Sequence, residues 1–170
     1  MDLFHYSVTM NQKEHSISFF MEKALLQAKC AYRKDEAPIG CVIVKNNEII
    51  ARGHNLRERF TDATLHAEMI AIRKACKMTG SWRLEDCDVY VTLEPCYMCA
   101  GALIQARVRH VYFGAVDPKG GAVVSTAQIF DMTHNHHVTY TSGILMQECG
   151  SLMSDFFREL REKRKIPKGI

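Results

Sequence analysis

A chain of 170 residues, 47% of them apolar and 24% charged, can bury one core without disulfide or metal staples, and no shift in composition marks a second domain. Its apolar runs are too short and too interrupted by charge to span a bilayer, and its first fifteen residues lack the basic start and long apolar stretch of a secretory signal, so the cytoplasm is the expected compartment. The net charge of +3 is too small to announce a nucleic-acid binder by itself, while seven cysteines, an odd number that includes a C-x-x-C pair, point to metal or redox chemistry before disulfides.

From Ser16 to about Lys34, apolar residues at Phe20, Ala24, Leu25, Ala28 and Ala31 recur at helical spacing, which predicts an amphipathic helix closed by Pro38 and Gly40. Cys41–Val44 and Glu48–Arg52 flank Asn46-Asn47, a pair that tolerates positive φ, and read as a β-hairpin. Asn55 to Leu65 is polar and reads as an irregular connection to a helix that starts near His66 and runs to about Met78, before Gly80. Asp88–Thr92 is a β-branched and aromatic run, hence a strand. Pro95 is expected to open a helix that reaches about Ala106, since proline is tolerated in a first helical turn. A strand at His110–Phe113, a turn-rich loop at Asp117–Gly121, a last strand at Val138–Thr141 and a helix from Ile144 to about Lys163 complete the chain. Strands alternating with helices imply a layered α/β sheet.

The chemistry lies in His66-Ala67-Glu68 and Pro95-Cys96-Tyr97-Met98-Cys99. Thiolate and imidazole are ligands that zinc prefers, and Cys96 and Cys99, three apart, fall on one face of a helical turn. With His66 they make three ligands, which leaves the fourth zinc corner open for water, the arrangement of a catalytic site. A bare C-x-x-C would suit a structural zinc or a redox pair equally well, but a fourth ligand at the right spacing is missing. Cys30, Cys41, Cys76, Cys87 and Cys149 are scattered singly in apolar contexts and are expected to be buried; Cys76 and Cys87 are the ones to check as a fourth ligand. His134-Asn135-His136-His137 lacks a partner set and reads as a hydrogen-bonded or solvated loop. Glu68 is either a solvated helix carboxylate or a proton shuttle. Two thiolates neutralise Zn²⁺ and leave it a weaker acidifier of water than a tris-histidine site, so a neighbouring base is needed, and the shuttle fits hydrolytic deamination.

These motifs resemble the signature of the zinc-dependent nucleoside and nucleobase deaminases. Pro38-Ile39-Gly40, Gly53-His54-Asn55, Thr92-Leu93-Glu94 running into the cysteine motif, Gly114-Ala115-Val116-Asp117-Pro118-Lys119-Gly120-Gly121 and Ser154-Asp155-Phe156-Phe157-Arg158 are similar to the bacterial tRNA-specific adenosine deaminases within that group. The resemblance spans residues 16–165, the expected deaminase domain. Residues 1–15 form an extension with no assigned role, and 166–170 a C-terminal tail. It implies a three-layer α/β/α fold around a central five-stranded mixed sheet, a homodimer, one Zn²⁺ per subunit on His66, Cys96 and Cys99, Glu68 as proton shuttle, and conversion of the wobble adenosine of a tRNA anticodon stem-loop to inosine. Asn55 matches the residue that hydrogen-bonds the extruded base and Asp117 one in a loop at the anticodon backbone. For Asn55 alone a turn-forming asparagine is an equal reading.

Arg158, Arg161, Lys163, Arg164, Lys165 and Lys168 crowd the C-terminal end against Glu159 and Glu162. They read either as a solvated helix end or, with Phe157 and Arg158 as substrate contacts, as a surface for phosphates and bases. Of the adjacent Phe156 and Phe157, one is expected to pack inward and the other to remain available. Two rival functions stay open: a deaminase of guanine, cytosine or a nucleotide, and a zinc-stabilised RNA-binding protein without catalysis.

Overall fold

Helix α1 (Ile17–Tyr32) begins where the Ser16 hydroxyl accepts the Phe19 amide, and it buries Phe20, Met21, Ala24, Leu25, Ala28 and Ala31, the predicted stripe with Met21 added. The computed structural model describes residues 15–165, so the expected extension before His15 and the tail 166–170, Lys168 included, lie outside the described residues. Strands β1 (Gly40–Lys45) and β2 (Glu48–His54) form the predicted hairpin, with Asn46 at φ 49° and Asn47 at φ 62° in its two-residue turn. After α2 (Arg57–Phe60) and α3 (Ala67–Thr79) come β3 (Cys87–Leu93), α4 (Tyr97–Gln105), β4 (His110–Ala115), β5 (Thr139–Thr141) and α5 (Met146–Lys165).

The five strands lie in the order β2-β1-β3-β4-β5, with β1 antiparallel to both neighbours and β3, β4 and β5 parallel, a mixed sheet. Alternation along the strands sorts the core into two layers. Cys41, Ile43, Val89, Val91, Val111 and Phe113 pack with α3 and α4 on one face. Val42, Val44 and Tyr90 pack with α1 and Cys149 of α5 on the other. This is the expected three-layer α/β/α arrangement. Among the described residues no helix is long and apolar enough to cross a membrane.

Several expectations need correction. Asn55–Leu65 is not wholly irregular: it carries the single-turn α2, and the Leu56 amide closes the segment on the Leu65 carbonyl (3.0 Å). Pro95 stands before its helix rather than in the first turn. Its carbonyl accepts the Ala122 amide (2.9 Å), and extended Cys96, bridged to Gly121, becomes the N-cap. The last helix is shifted by two residues, and a 3-10 turn at Ile129–Asp131 had no sequence signal. Cys41, Cys87 and Cys149 are buried as expected, but Cys30 and Cys76 are only half-buried.

Helix α5 starts at the carboxyl ends of β3 and β4 and crosses them. A Cβ at Gly114 would strike Cys149 Sγ, Phe156 stacks edge-on to Tyr32 at 5.4 Å, and Lys163 reaches Asp35 beyond α1 (2.9 Å).

Candidate active site

Two helices begin at the same end of the sheet. His66 is the extended N-cap of α3 and places Glu68 in that helix's first turn; Cys96 is the N-cap of α4, with Cys99 three residues on. His66 Nδ1 lies 3.6 Å from both Cys96 Sγ and Cys99 Sγ. A tetrahedral zinc with ordinary Zn–N and Zn–S bonds separates such a nitrogen and sulfur by about 3.6 Å, so the three side chains fit that ion. Among the described residues no fourth ligand joins the group. Cys76 Sγ turns to the Trp82 carbonyl (3.8 Å), Cys87 is buried at the start of β3, and His134 and His136 donate to the carbonyls of Ile129 and Val108 (2.7 and 2.8 Å). A zinc ion held by two thiolates and one imidazole supplies a Lewis acid with a free position for water.

The three ligand side chains share protons through one hydrogen-bonded network. The Cys96 thiol is pushed down to about 4, first by a hydrogen bond from Cys99 and then, against the opposing effect of burial, by His66. Cys99 moves in the opposite direction through the same bond and its own burial. His66 is raised by its bond to Cys96, against burial. The start of α4 adds the partial positive charge of a helix N-terminus, which favours thiolates. Glu68 is buried, and among the described residues its Oε2 is the one buried side-chain oxygen or nitrogen atom without a hydrogen-bond partner. Burial raises its carboxyl to about 7, with the Cys96 charge adding to the rise. A carboxyl poised near neutrality, with an open oxygen one residue past a zinc ligand's neighbour, is equipped to move a proton.

Beside this group lies a cleft of about 510 Å³, whose lining includes Asn55, His66, Asp117, Met153 and Phe157. It continues into a second depression of about 450 Å³ that shares Ala37, Asn55, Arg57 and Phe157 and adds Arg161 and Arg164. Four of the residues singled out in the sequence therefore meet here. Asn55 is no turn asparagine: it is buried, and its Nδ2 donates to Glu36 Oε2 (3.1 Å). Asp117 lines the cleft while its Oδ1 accepts the amides of Lys119 and Gly120 (both 3.1 Å). Phe156 is 6% exposed and Phe157 40%, one inward and one available. Arg158 is the exception. It pairs with Asp155 (2.6 Å) and lines neither depression.

Sequence reasoning missed Arg57, Glu36 and Glu94. Glu94, directly before the cysteine motif, accepts the amides of Val123, Val124 and Ser125 on Oε1 and, on Oε2, the Asp117 amide and the Ser125 hydroxyl. It binds the loop that carries Asp117 to the zinc-ligand helix. Burial pushes its carboxyl up, but these donors outweigh burial and hold it below the usual carboxylate range. A Cβ at Gly121 would lie 2.2 Å from that carboxylate, so the loop closes only over a glycine.

A model of the cytidine and deoxycytidylate deaminase zinc-binding region matches residues 14–115. The chain is 52% identical over 150 residues to the tRNA-specific adenosine deaminase of Bacillus subtilis (strain 168), covering 88% of this chain and 93% of that protein. A solved structure from work on A-to-I editing by tRNA:A34 deaminases at the wobble position superposes with a TM-score of 0.77 at 46% identity, covering 79% of this chain and 99% of that one. The guanine deaminase of Bacillus subtilis is more distant, at 30% identity and a TM-score of 0.60 over 87% of this chain and 95% of that one. Zinc-ligand geometry, sheet order and these similarities agree, and the chain belongs to the tRNA-specific adenosine deaminases of the cytidine and deoxycytidylate deaminase zinc-binding family.

Proposed function

We propose that this protein hydrolytically deaminates the wobble adenosine of a tRNA anticodon stem-loop to inosine. The observation that carries the reading is the continuity of the two depressions: a free base needs only the first, whereas the second has Arg57, Arg161 and Arg164 against Asp35 and Glu58, with Phe157 beside them, an arginine excess that suits flanking phosphates and a stacked neighbour. An adenine in a folded loop must leave its stack to be edited, and a cleft of this size accepts one extruded base.

In this reading Glu68 takes a proton from the attacking water and delivers it to the purine ring nitrogen beside the reacting carbon. It then passes the second proton to the amine that leaves as ammonia. Asn55 holds the base, and Asp117 and Phe157 contact the loop around it. Arg158, tied to Asp155, contributes less than Arg161 and Arg164. A homodimer belongs to the same proposal, supported by the exposed apolar groove of Leu56, Phe60, Leu65 and Ile70 rimmed by Arg73, Lys74 and Lys77. So does residence in the cytoplasm, where tRNA is found and thiolate ligands stay reduced.

Incubation of the zinc-loaded protein with tRNA and, separately, with adenosine, guanine and cytosine tests the function. Inosine in tRNA with the free compounds untouched is the expected result; turnover of a free compound with tRNA unchanged would establish the small-molecule reading instead.

A further inference from the structure

We infer that Glu36 is a positioning residue for deamination, its carboxylate orienting the Asn55 amide and the first turn of α2 at the cleft; the inference rests on Asn55 contacting the base. Glu36 sits between α1 and β1 and is fully buried. Among the described residues no lysine or arginine forms an ion pair with it. It is satisfied instead by three N–H donors: Asn55 Nδ2 (3.1 Å) and the Glu58 amide (3.1 Å) on Oε2, and the Arg59 amide (2.7 Å) on Oε1.

Burying a carboxylate without a cation is costly, and its hydrogen bonds at best offset that cost, so stability gives a weak reason for the residue. Orientation gives a stronger one. The two ends of a side-chain amide are nearly equal in shape, and only the hydrogen-bond partners decide which way it lies. A carboxylate offers acceptors alone, so it selects the NH₂ end of Asn55. Among the described residues Oδ1 of Asn55 meets no donor, which leaves it for a ligand in the cleft that Asn55 lines. The same carboxylate caps α2, whose own N-cap residue, Leu56, provides no side-chain bond. Arg57, the first residue of α2, borders both depressions. One buried group thus holds the Asn55 amide and the backbone of the turn that begins with Arg57, and it bonds no zinc ligand.

The test is single-turnover deamination of an anticodon stem-loop RNA by zinc-loaded wild type, Glu36→Gln, Asn55→Ala and the double variant, with zinc content and melting temperature measured alongside. Gln keeps the size of Glu36 but sets an NH₂ among N–H donors. We expect Glu36→Gln to lower the single-turnover rate about ten- to hundredfold through misplacement of the base, with stem-loop KM changed less than about threefold and zinc content intact. The double variant should be no slower than Asn55→Ala, since both changes remove one interaction. Wild-type rates in Glu36→Gln beside a slow Asn55→Ala, or effects that multiply, overturn the inference while leaving the role of Asn55 standing. An Asn55→Ala protein at the wild-type rate overturns the role of Asn55, and the positioning role with it. If Glu36→Gln melts below the assay temperature, the exchange decides: Asn55→Asp opposes two carboxylates, and adding Glu36→Gln restores an N–H···O bond in reverse. Recovery of about tenfold over Asn55→Asp supports the pair, and no recovery overturns it.

Discussion

Gly53→Ala is the substitution that most directly connects packing to chemistry. Gly53, near the end of β2, faces the first turns of α3, where Ala67, Ala71 and Ala75 are fully buried and let the helix approach the sheet closely. A Cβ at Gly53 would lie 2.1 Å from the Ala67 carbonyl oxygen and 2.9 Å from the Ala71 nitrogen, so the first contact falls 1.3 Å short of the 3.4 Å at which ordinary contact begins. Both atoms are backbone, and no rotamer change relieves them. Helix α3 must therefore move at Ala67, the residue between His66 and Glu68. Overpacking of this kind costs about 2–3 kcal/mol, which lowers the melting temperature of a domain this size by about 4–12 °C. Displacement of His66 and of Glu68, the proposed shuttle, on the scale of an ångström should lower the deamination rate about a hundredfold. Thermal melting, zinc analysis and single-turnover kinetics on a stem-loop RNA read all three effects. Gly101→Ala in α4 is the control: a Cβ there meets nothing within 4 Å, and the change should stabilise by about 0.5–1 kcal/mol. A Gly53→Ala protein that melts and reacts like wild type would refute the reasoning.

Glu68→Gln keeps the volume of the side chain but cannot carry a proton, so it should bind zinc and stem-loop RNA normally and lose about 10²–10⁴ in rate; near-normal turnover would remove Glu68 from the mechanism. Glu94→Gln turns an NH₂ toward donors that the carboxylate now accepts, and should cost about 1–3 kcal/mol at neutral pH by urea unfolding. The carboxyl of Glu94 is depressed below its reference of 4.5 on folding, so its contribution is fully present above that pH and disappears as pH falls through the lower, folded value. The gap between wild type and Glu94→Gln should therefore shrink on acidification, and a gap independent of pH would show that these bonds do not depend on the charge. Arg161→Ala and Arg164→Ala should each flatten the salt dependence of stem-loop binding by about 0.7 in log–log slope, measured by fluorescence anisotropy, while Arg158→Ala leaves it unchanged; the opposite ranking would move the RNA path to the other side of α5.

The ligands and the layered sheet were legible because each rests on local signals: alternation in the strands, a buried stripe in α1, and the fixed spacing of Cys96 and Cys99. What escaped depends on distant closure. Helix α2 is too short to show a repeat, and the cap that starts it is Glu36, which belongs to another loop. Nothing local marks Glu36 or Glu94 as a buried acceptor, because the three and five donors that reach them come from distant segments. Arg158 opens the basic run and follows Phe157 in sequence, but on a helix the neighbours of Phe157 are Arg161 and Arg164, four and seven positions on. All three arginines belong to the run read as a surface for phosphates, and the helical period is what separates Arg161 and Arg164 from Arg158 within it.

The parallel placement of β5 beside β4 returns the chain to the zinc end of the sheet, and α5 leaves from there to lie over the cleft. Only Cys149 and Phe156 of this helix are buried, while Gly150, Met153, Ser154 and Phe157 form one side of the cleft. The metal ligands, Glu68 and Glu94 all come from upstream elements. Substitutions on the exposed side of α5 can therefore change what the cleft admits while the metal ligands, Glu68 and Glu94 keep their places, although Asn55, Arg57 and Asp117, which complete the lining, stay with the upstream body.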